Sequence, residues 1–254
     1  MSTPMTSPAD NKLIVALDVD NKMKALELVN ALSHVAGMFK IGSQLFTAAG
    51  PEIVREIVAS GRRIFLDLKF HDIPATVAAA GIEATRMGVS IFNIHASGGR
   101  EMMLRTADAV SQCASREGLG RPSVIAVTLL TSSDAIELNQ VGIAAAPADH
   151  TSRLAQLAAD SGMDGVVASP QDIEMLRSVV SAPDFLIVSP GVRPLGNEQH
   201  DQKRTMTPAQ AIAAGADYIV VGRPIVGAAD PVAAAAGILR EITQAANTAT
   251  QSSD

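Results

Sequence analysis

Aromatic side chains are nearly missing from this 254-residue chain: they make up 3% of it, with no Trp and a single Tyr. Single-stranded nucleic acid is held by stacking bases on such rings, so that class of ligand is disfavoured. A basic excess is missing too, since 26 acidic residues outnumber 20 Lys and Arg for a net charge of −6. A surface that grips a phosphate backbone needs the opposite balance. One cysteine, Cys113, excludes an internal disulfide and leaves a thiolate metal site without ligands. Cys113 lies in the helical-looking run Met102–Arg116 and reads as a structural thiol. The five His, at 34, 71, 95, 150 and 200, show neither HExxH nor HxH spacing, so no metal is implied. No apolar run reaches the roughly 18 residues of a membrane span. The opening MSTPMTSPADN carries no apolar signal-peptide core, and the expected location is the cytoplasm.

What is present is aliphatic and periodic. The hydrophobic fraction of 47% comes mostly from Ala, Val, Ile and Leu, which suits helices packed on a buried parallel sheet. Eight short β-branched runs recur: Lys12–Asp18, Met38–Ile41, Arg63–Phe70, Ser90–His95, Ser123–Leu130, Gly165–Ser169, Phe185–Ser189 and Asp217–Gly222. Each is followed by an amphipathic stretch: Lys22–Ser33, Pro51–Ser60, Pro74–Met87, Arg100–Arg116, Asp149–Ser161, Pro170–Val180, Pro208–Ala214 and Pro231–Ala245. Several of these open on Pro, whose missing N–H costs nothing in a first turn. Several end at Gly (61, 88, 162, 215), as a left-handed cap prefers.

Strict alternation implies parallel strands and right-handed crossovers. The expected fold is therefore α/β, a single closed (β/α)8 barrel spanning residues 1–254, with frayed ends at about 1–10 and 244–254. An open doubly wound sheet is the alternative; it lacks a GxGxxG after the first strand and any Walker A sequence. The segment Ser132–Ala148 is long for a βα connection and is expected to carry a short helix of its own.

In such a barrel, function gathers at the carboxyl ends of the strands. Those ends read Asp18, Lys40, Asp67 with Lys69, His95, Thr128 to Thr131, Ser169, Ser189 and Gly222 with Arg223. On the third strand, alternation puts Phe65, Asp67 and Lys69 on one face and Ile64, Leu66, Leu68 and Phe70 on the other. Asp67 and Lys69 then project into the upper barrel, where charges must be paired. Asp18 and Lys40 are the natural partners. Taken alone, an Asp-x-Lys pair reads as a salt bridge, and Asp72 as an N-cap for the helix opening at Pro74. His71 and His95 read as hydrogen-bonded structural imidazoles. The convergence of Asp18, Lys40, Asp67, Lys69 and Asp72 on one rim is what argues for chemistry.

The last quarter reads as an anion site. Ser189–Pro194 follows strand seven and Val221–Pro224 follows strand eight, the two loops between which barrels often hold phosphate. Gly222 allows close backbone approach and Arg223 supplies charge-assisted bonds. Arg193 with the polar run Gly196–Arg204 looks like a loop able to close over a ligand.

Asp67–Pro74 (DLKFHDIP), followed by Thr76, resembles the Asp-x-Lys-x-x-Asp-Ile-Pro signature of the orotidine 5′-phosphate decarboxylase family. The resemblance runs from Leu13 to Gly227. Ala16-Leu17-Asp18 is similar to the family's first-strand Asp, Phe39-Lys40-Ile41-Gly42 to its second-strand Lys, and Thr128–Ser132, through Thr131, to its pyrimidine contact. Pro190–Pro194 with Asp201–Arg204 resembles its phosphate-closing loop, with Pro190, Arg193 and Gln202 as contacts. Val221–Ile225 resembles its final phosphate site, through Gly222 and Arg223. No departure is seen at an expected functional position.

The resemblance implies cofactor-free decarboxylation of orotidine 5′-phosphate to uridine 5′-phosphate, the last step of de novo pyrimidine nucleotide synthesis. It implies that Lys69 stabilises a carbanion at C6 and protonates it, with Asp67 beside the departing carboxylate. Lys40 and Asp72 hold the array, Ile73 and Thr76 are further substrate contacts, and Asp72 enters the neighbouring subunit's site in a homodimer with shared sites. A magnesium-dependent sugar-phosphate decarboxylase or aldolase-like barrel of the same superfamily is the enzymatic alternative; such relatives favour an acidic ligand over a residue like Lys40. A barrel that merely binds a phosphorylated ligand would need Asp67, Lys69 and Asp72 to be structural.

Overall fold

The computed structural model describes residues 12–194 and 206–251, with side chains described through residue 244. Eight parallel strands close into a barrel in chain order. They are β1 Leu13–Ala16, β2 Met38–Gly42, β3 Ile64–Phe70, β4 Ile91–His95, β5 Ser123–Val127, β6 Gly165–Val167, β7 Leu186–Pro190 and β8 Tyr218–Val221. The helices are α1 Lys22–Leu32, α2 Ser43–Ala49, α3 Glu52–Ala59, α4 Pro74–Arg86, α5 Arg100–Glu117, α6 Ala135–Gln140, α7 Pro147–Ala159, α8 Ile173–Val179, α9 Pro208–Ala213, α10 Arg223–Val226 and α11 Pro231–Gln251.

Strand alternation divides the core in two. Ile14, Met38, Phe65, Ile91, Ile125, Val167, Val188 and Val220 fill the barrel interior. Leu13, Val15, Phe39, Ile41, Ile64, Leu66, Phe92 and Ile94 point outward into a larger layer shared with the helices. Each strand thus buries both faces, which is why the strands read as nearly continuous apolar runs. Gly165 on β6 marks the tightest seam: a methyl group there would sit 2.3 Å from the backbone oxygen of Leu186 on β7.

Three details differ from the sequence reading. First, Ser43–Ala49 forms α2, an extra helix ahead of the expected one; it is only 7 residues long, too short to show an amphipathic period. Second, β5 stops at Val127 rather than Leu130: the Thr128 N–H makes the last ladder bond, to the Val167 carbonyl, the Thr128 hydroxyl donates to the same oxygen, and the chain then leaves the sheet. Third, α11 runs to Gln251 instead of ending at Ala245; no Gly or Pro interrupts that tail. The expected short helix in Ser132–Ala148 is present as α6, opened by a reciprocal capping box between Asp134 and Glu137. The glycines predicted to close helices do so: Gly61, Gly88, Gly162 and Gly215 follow α3, α4, α7 and α9 with φ of 79°, 76°, 73° and 109°.

Candidate active site

Parallel registry brings the charged strand ends together. Ala16 pairs with Lys40, and Gly42 with Asp67, so β1, β2 and β3 deliver Asp18, Lys40 and Asp67 to one level at the upper rim. There the Lys40 ammonium lies 3.2 Å from Asp18 Oδ1 and 3.3 Å from Asp67 Oδ2, while Lys69 Nζ lies 2.6 Å from Asp67 Oδ1. Charge alternates along the row Asp18, Lys40, Asp67, Lys69. Two glycines make room for it. A methyl on Gly42 would meet Lys40 Nζ at 3.0 Å, and one on Gly222 would meet Asp18 Oδ2 at 3.0 Å.

Asp67 is the hub. Its residue is 8% exposed, and burial opposes its ionisation. The charges of Lys40 and Lys69, with hydrogen bonds from Lys69 and Asn93, outweigh that cost and hold its carboxyl below the usual carboxylate range. Asp67 is therefore an anion at neutral pH, its Oδ1 accepting from Lys69 and Asn93 and its Oδ2 facing the Lys40 ammonium.

Lys69 reaches it by an irregular path. Leu66 pairs with Phe92 and Phe70 with Ile94, so β3 spends four residues where β4 spends two. Lys69 sits inside this bulge at φ 52°, the only non-glycine positive φ among the described residues. That conformation costs on the order of 1–2 kcal/mol for an L-residue. Regular alternation placed Lys69 on the right side of the strand, but the bulge gives its position.

Two clefts meet at Lys40 and Asp67. One, of about 230 Å³, is bordered by Asp18, Pro190, Arg193, Gly222 and Arg223. The other, of about 200 Å³, is walled by Phe65, Val127, Leu129, Leu130 and Val167, with Lys69, Thr131 and Ser132 at its edge. The first is polar and rimmed by both arginines, as a phosphate needs. The second is mostly apolar with two hydroxyls and the charged row at its edge, which suits a ring carrying a few polar atoms. The Arg193 N–H donates to the Met206 carbonyl, so the chain returns to the cleft after residues 195–205. Gln202 and the run Gly196–Arg204 lie outside the described residues.

Other expected residues stand apart. Asp72 does not cap α4: Ile73 takes the N-cap position without a side-chain bond, and the Asp72 carboxylate accepts only the adjacent Ile73 N–H at 2.6 Å. Within the single chain, Asp72, Ile73 and Thr76 border neither cleft and are exposed, Ile73 by 66%. The rings of His71 and His95 lie 5.5 Å apart between centroids and are tilted by 37°. Burial, then His71 and Lys69, hold the His95 imidazole below its usual pKa, against the pull of Asp67. Ser189 donates to the Ala168 carbonyl at 3.0 Å and is a seam between strands. Among the described residues, no three His, Cys, Asp or Glu gather as metal ligands.

Sequence reasoning missed Asn93. It is fully buried in the middle of β4, donates to Asp67 Oδ1 at 2.6 Å and accepts the Lys69 N–H at 2.8 Å. The signal was available: one amide in the apolar run IFNIH, on the inward parity with Ile91 and His95.

Residues 11–238 match the orotidine 5′-phosphate decarboxylase / HUMPS family. The chain belongs to this family. Among curated family relatives, orotidine 5′-phosphate decarboxylase of Geobacter sulfurreducens is 53% identical over 234 residues, covering 92% of this chain and 97% of its own. The enzyme of that name from Moorella thermoacetica is 50% identical over 235 residues, covering 92% and 93%. The crystal structure of orotidine 5′-phosphate decarboxylase from Lactobacillus acidophilus superposes with a TM-score of 0.79 at 36% identity, covering 91% of this chain and 98% of that one. The fold is thus shared with a solved orotidine 5′-phosphate decarboxylase over nearly the whole of both chains.

Proposed function

We propose that this protein decarboxylates orotidine 5′-phosphate to uridine 5′-phosphate in pyrimidine nucleotide synthesis. The observation that carries this reading is the ionised row Asp18–Lys40–Asp67–Lys69 set between a polar arginine-rimmed cleft and an apolar one. Membership in the family and half-identity to enzymes of that name support it.

The chemistry follows from placement. The substrate's phosphate takes the cleft of Arg193, Gly222 and Arg223, with Pro190 beside it; its ring takes the apolar cleft, where Thr131 meets the pyrimidine edge. Lys40 borders both clefts and Asp18 the polar one, so that pair meets the part of the nucleotide between phosphate and ring. The substrate carboxylate at C6 is then brought against the Asp67 anion, a repulsion that vanishes as CO2 departs. The C6–carboxyl bond breaks, its electron pair stays on C6, and the Lys69 ammonium stabilises that charge and donates its proton there. The neutral amine left behind regains a proton from water. Binding energy from the remote phosphate supports the step at C6.

Asp72, Ile73 and Thr76, exposed and outside the clefts, complete the site of a partner subunit, making the enzyme a homodimer with shared sites. A phosphorylated substrate does not cross membranes, so the reaction belongs in the cytoplasm. The magnesium-dependent alternative finds no support: the Lys40 ammonium occupies the place between Asp18 and Asp67 that a divalent cation would take.

The test is ultraviolet absorbance during turnover of orotidine 5′-phosphate by the purified protein in EDTA. Turnover at an undiminished rate is expected. No turnover, or turnover only after magnesium is added, refutes the assignment.

A further inference from the structure

A buried peptide N–H must find an acceptor, and the bulge at Lys69 deprives that residue of one from the β3–β4 ladder, which jumps from Leu66–Phe92 to Phe70–Ile94. The side chain of Asn93 supplies it. Its carbonyl oxygen takes the Lys69 N–H at 2.8 Å and its amide nitrogen donates to Asp67 Oδ1 at 2.6 Å. The orientation of the amide is fixed by its partners, since a peptide N–H only donates and a carboxylate only accepts. Asn93 therefore touches, in one rigid and fully buried group, the backbone that presents the Lys69 ammonium and the carboxylate that the ammonium meets at 2.6 Å. It is also neutral, so it orients Asp67 without cancelling the charge of either lysine.

We infer that Asn93 is a positioning residue for the decarboxylation step: it holds Lys69 in its left-handed turn and aims the Asp67 carboxylate, so that acid and anion stand together where C6 and its carboxylate are to lie. This rests on the decarboxylase reading of the same site. It also assigns Asn93 to the reacting centre and not to nucleotide binding, because its amide contacts neither the arginine-rimmed cleft nor the apolar one. Misplacing a reacting group by about 1 Å costs on the order of 10²-fold in rate.

Two variants test it. Asn93→Ala removes both bonds. Asn93→Asp is nearly isosteric and keeps the acceptor for Lys69 N–H, but sets a second acid against Asp67 so that the pair holds a shared proton. The number of sites competent to bind uridine 5′-phosphate is measured by calorimetry, and kcat is expressed per such site, which removes any effect of misfolded protein. For Asn93→Ala the expected result is a per-site kcat lower by about 10²-fold, with KM and product affinity changed far less. For Asn93→Asp the acid limb of the kcat–pH profile moves to higher pH than in the wild type, which a purely structural role does not produce. A per-site kcat of Asn93→Ala close to wild type overturns the inference, and so does an unmoved acid limb in Asn93→Asp. If the wild type itself does not decarboxylate, it is the functional reading that fails. Crystal structures of the variants then decide the positioning role: Lys69 leaving the left-handed region in Asn93→Ala supports it, and an unchanged Lys69–Asp67 contact overturns it.

Discussion

Replacing Lys40 by Met tests whether the rim is an electrostatic unit. Met matches the stem of Lys in length and packs as well, so the change isolates the ammonium. In the folded protein that ammonium and the Asp67 carboxylate are both only 11% exposed at the side chain and lie 3.3 Å apart. Coulomb attraction at that distance, with the effective dielectric constant of about 20 that suits such sites, is about 5 kcal/mol as an upper bound. Lys69 remains on the other oxygen, so part of the loss is covered. Asp18 is 48% exposed, and its share, screened by water, is small. Breaking a buried pair from one side typically costs about 3–5 kcal/mol. The expected loss is at the lower end, about 3 kcal/mol at pH 7, and a Tm lower by roughly 6–12 °C for a chain of this size.

The sign of the pH dependence follows from Asp67. In the wild type its carboxyl is held below the usual range, so its contribution to stability is present above the unfolded-state value and is lost only as pH falls through the folded one. Without Lys40, burial faces one cation instead of two and the folded value rises. The variant then loses less than the wild type on acidification, and the gap between them narrows as pH drops through about 4. Urea unfolding of both proteins at pH 7 and at mildly acidic pH measures the gap directly. A penalty under about 1 kcal/mol at pH 7, the size of an exposed pair, refutes the reasoning, as does a penalty that stays constant with pH.

Two further outcomes are expected. Lys69→Ala and Asp72→Ala are each inactive as homodimers, yet mixing them under subunit exchange restores about a quarter of wild-type activity, since half of the dimers are hybrids with one intact site; mixtures no more active than their parents remove Asp72 from the partner's site. Gly165→Ala forces a methyl against the Leu186 carbonyl, where 2.3 Å is open, and is expected to cost on the order of 2 kcal/mol, read as a Tm lower by roughly 4–8 °C; an unchanged Tm shows that β6 and β7 can part freely.

The barrel was legible because its punctuation is local. Gly61, Gly88, Gly162 and Gly215 announce helix ends through their own backbone freedom, and Pro74 and Pro208 announce starts, so eight βα units can be counted without any tertiary information. Where an element is decided by a distant partner, the reading slipped. Ser123–Leu130 (SVIAVTLL) is apolar on both sides of Thr128, and only the fold shows that the strand stops at Val127, where the Thr128 hydroxyl joins its N–H on the Val167 carbonyl. Leu129 and Leu130, freed from the sheet, become walls of the apolar cleft.

The site divides along the same line. Charges at strand ends identify themselves, because Asp18, Lys40 and Asp67 could not be buried singly, and alternation alone places them on one rim. What alternation cannot carry is a departure from itself. Lys69 at φ 52° lies in a bulge that no residue of DLKF announces, and the N–H that the bulge takes out of the ladder is accepted by Asn93 on the neighbouring strand. The motif therefore states which groups do the chemistry, while the angle at which Lys69 meets Asp67 is written elsewhere, in a neutral amide 24 residues from that lysine that no charge pattern would mark. The part of the family signature that lies on β3, Asp67 to Phe70, is in this protein half of a device whose other half is β4.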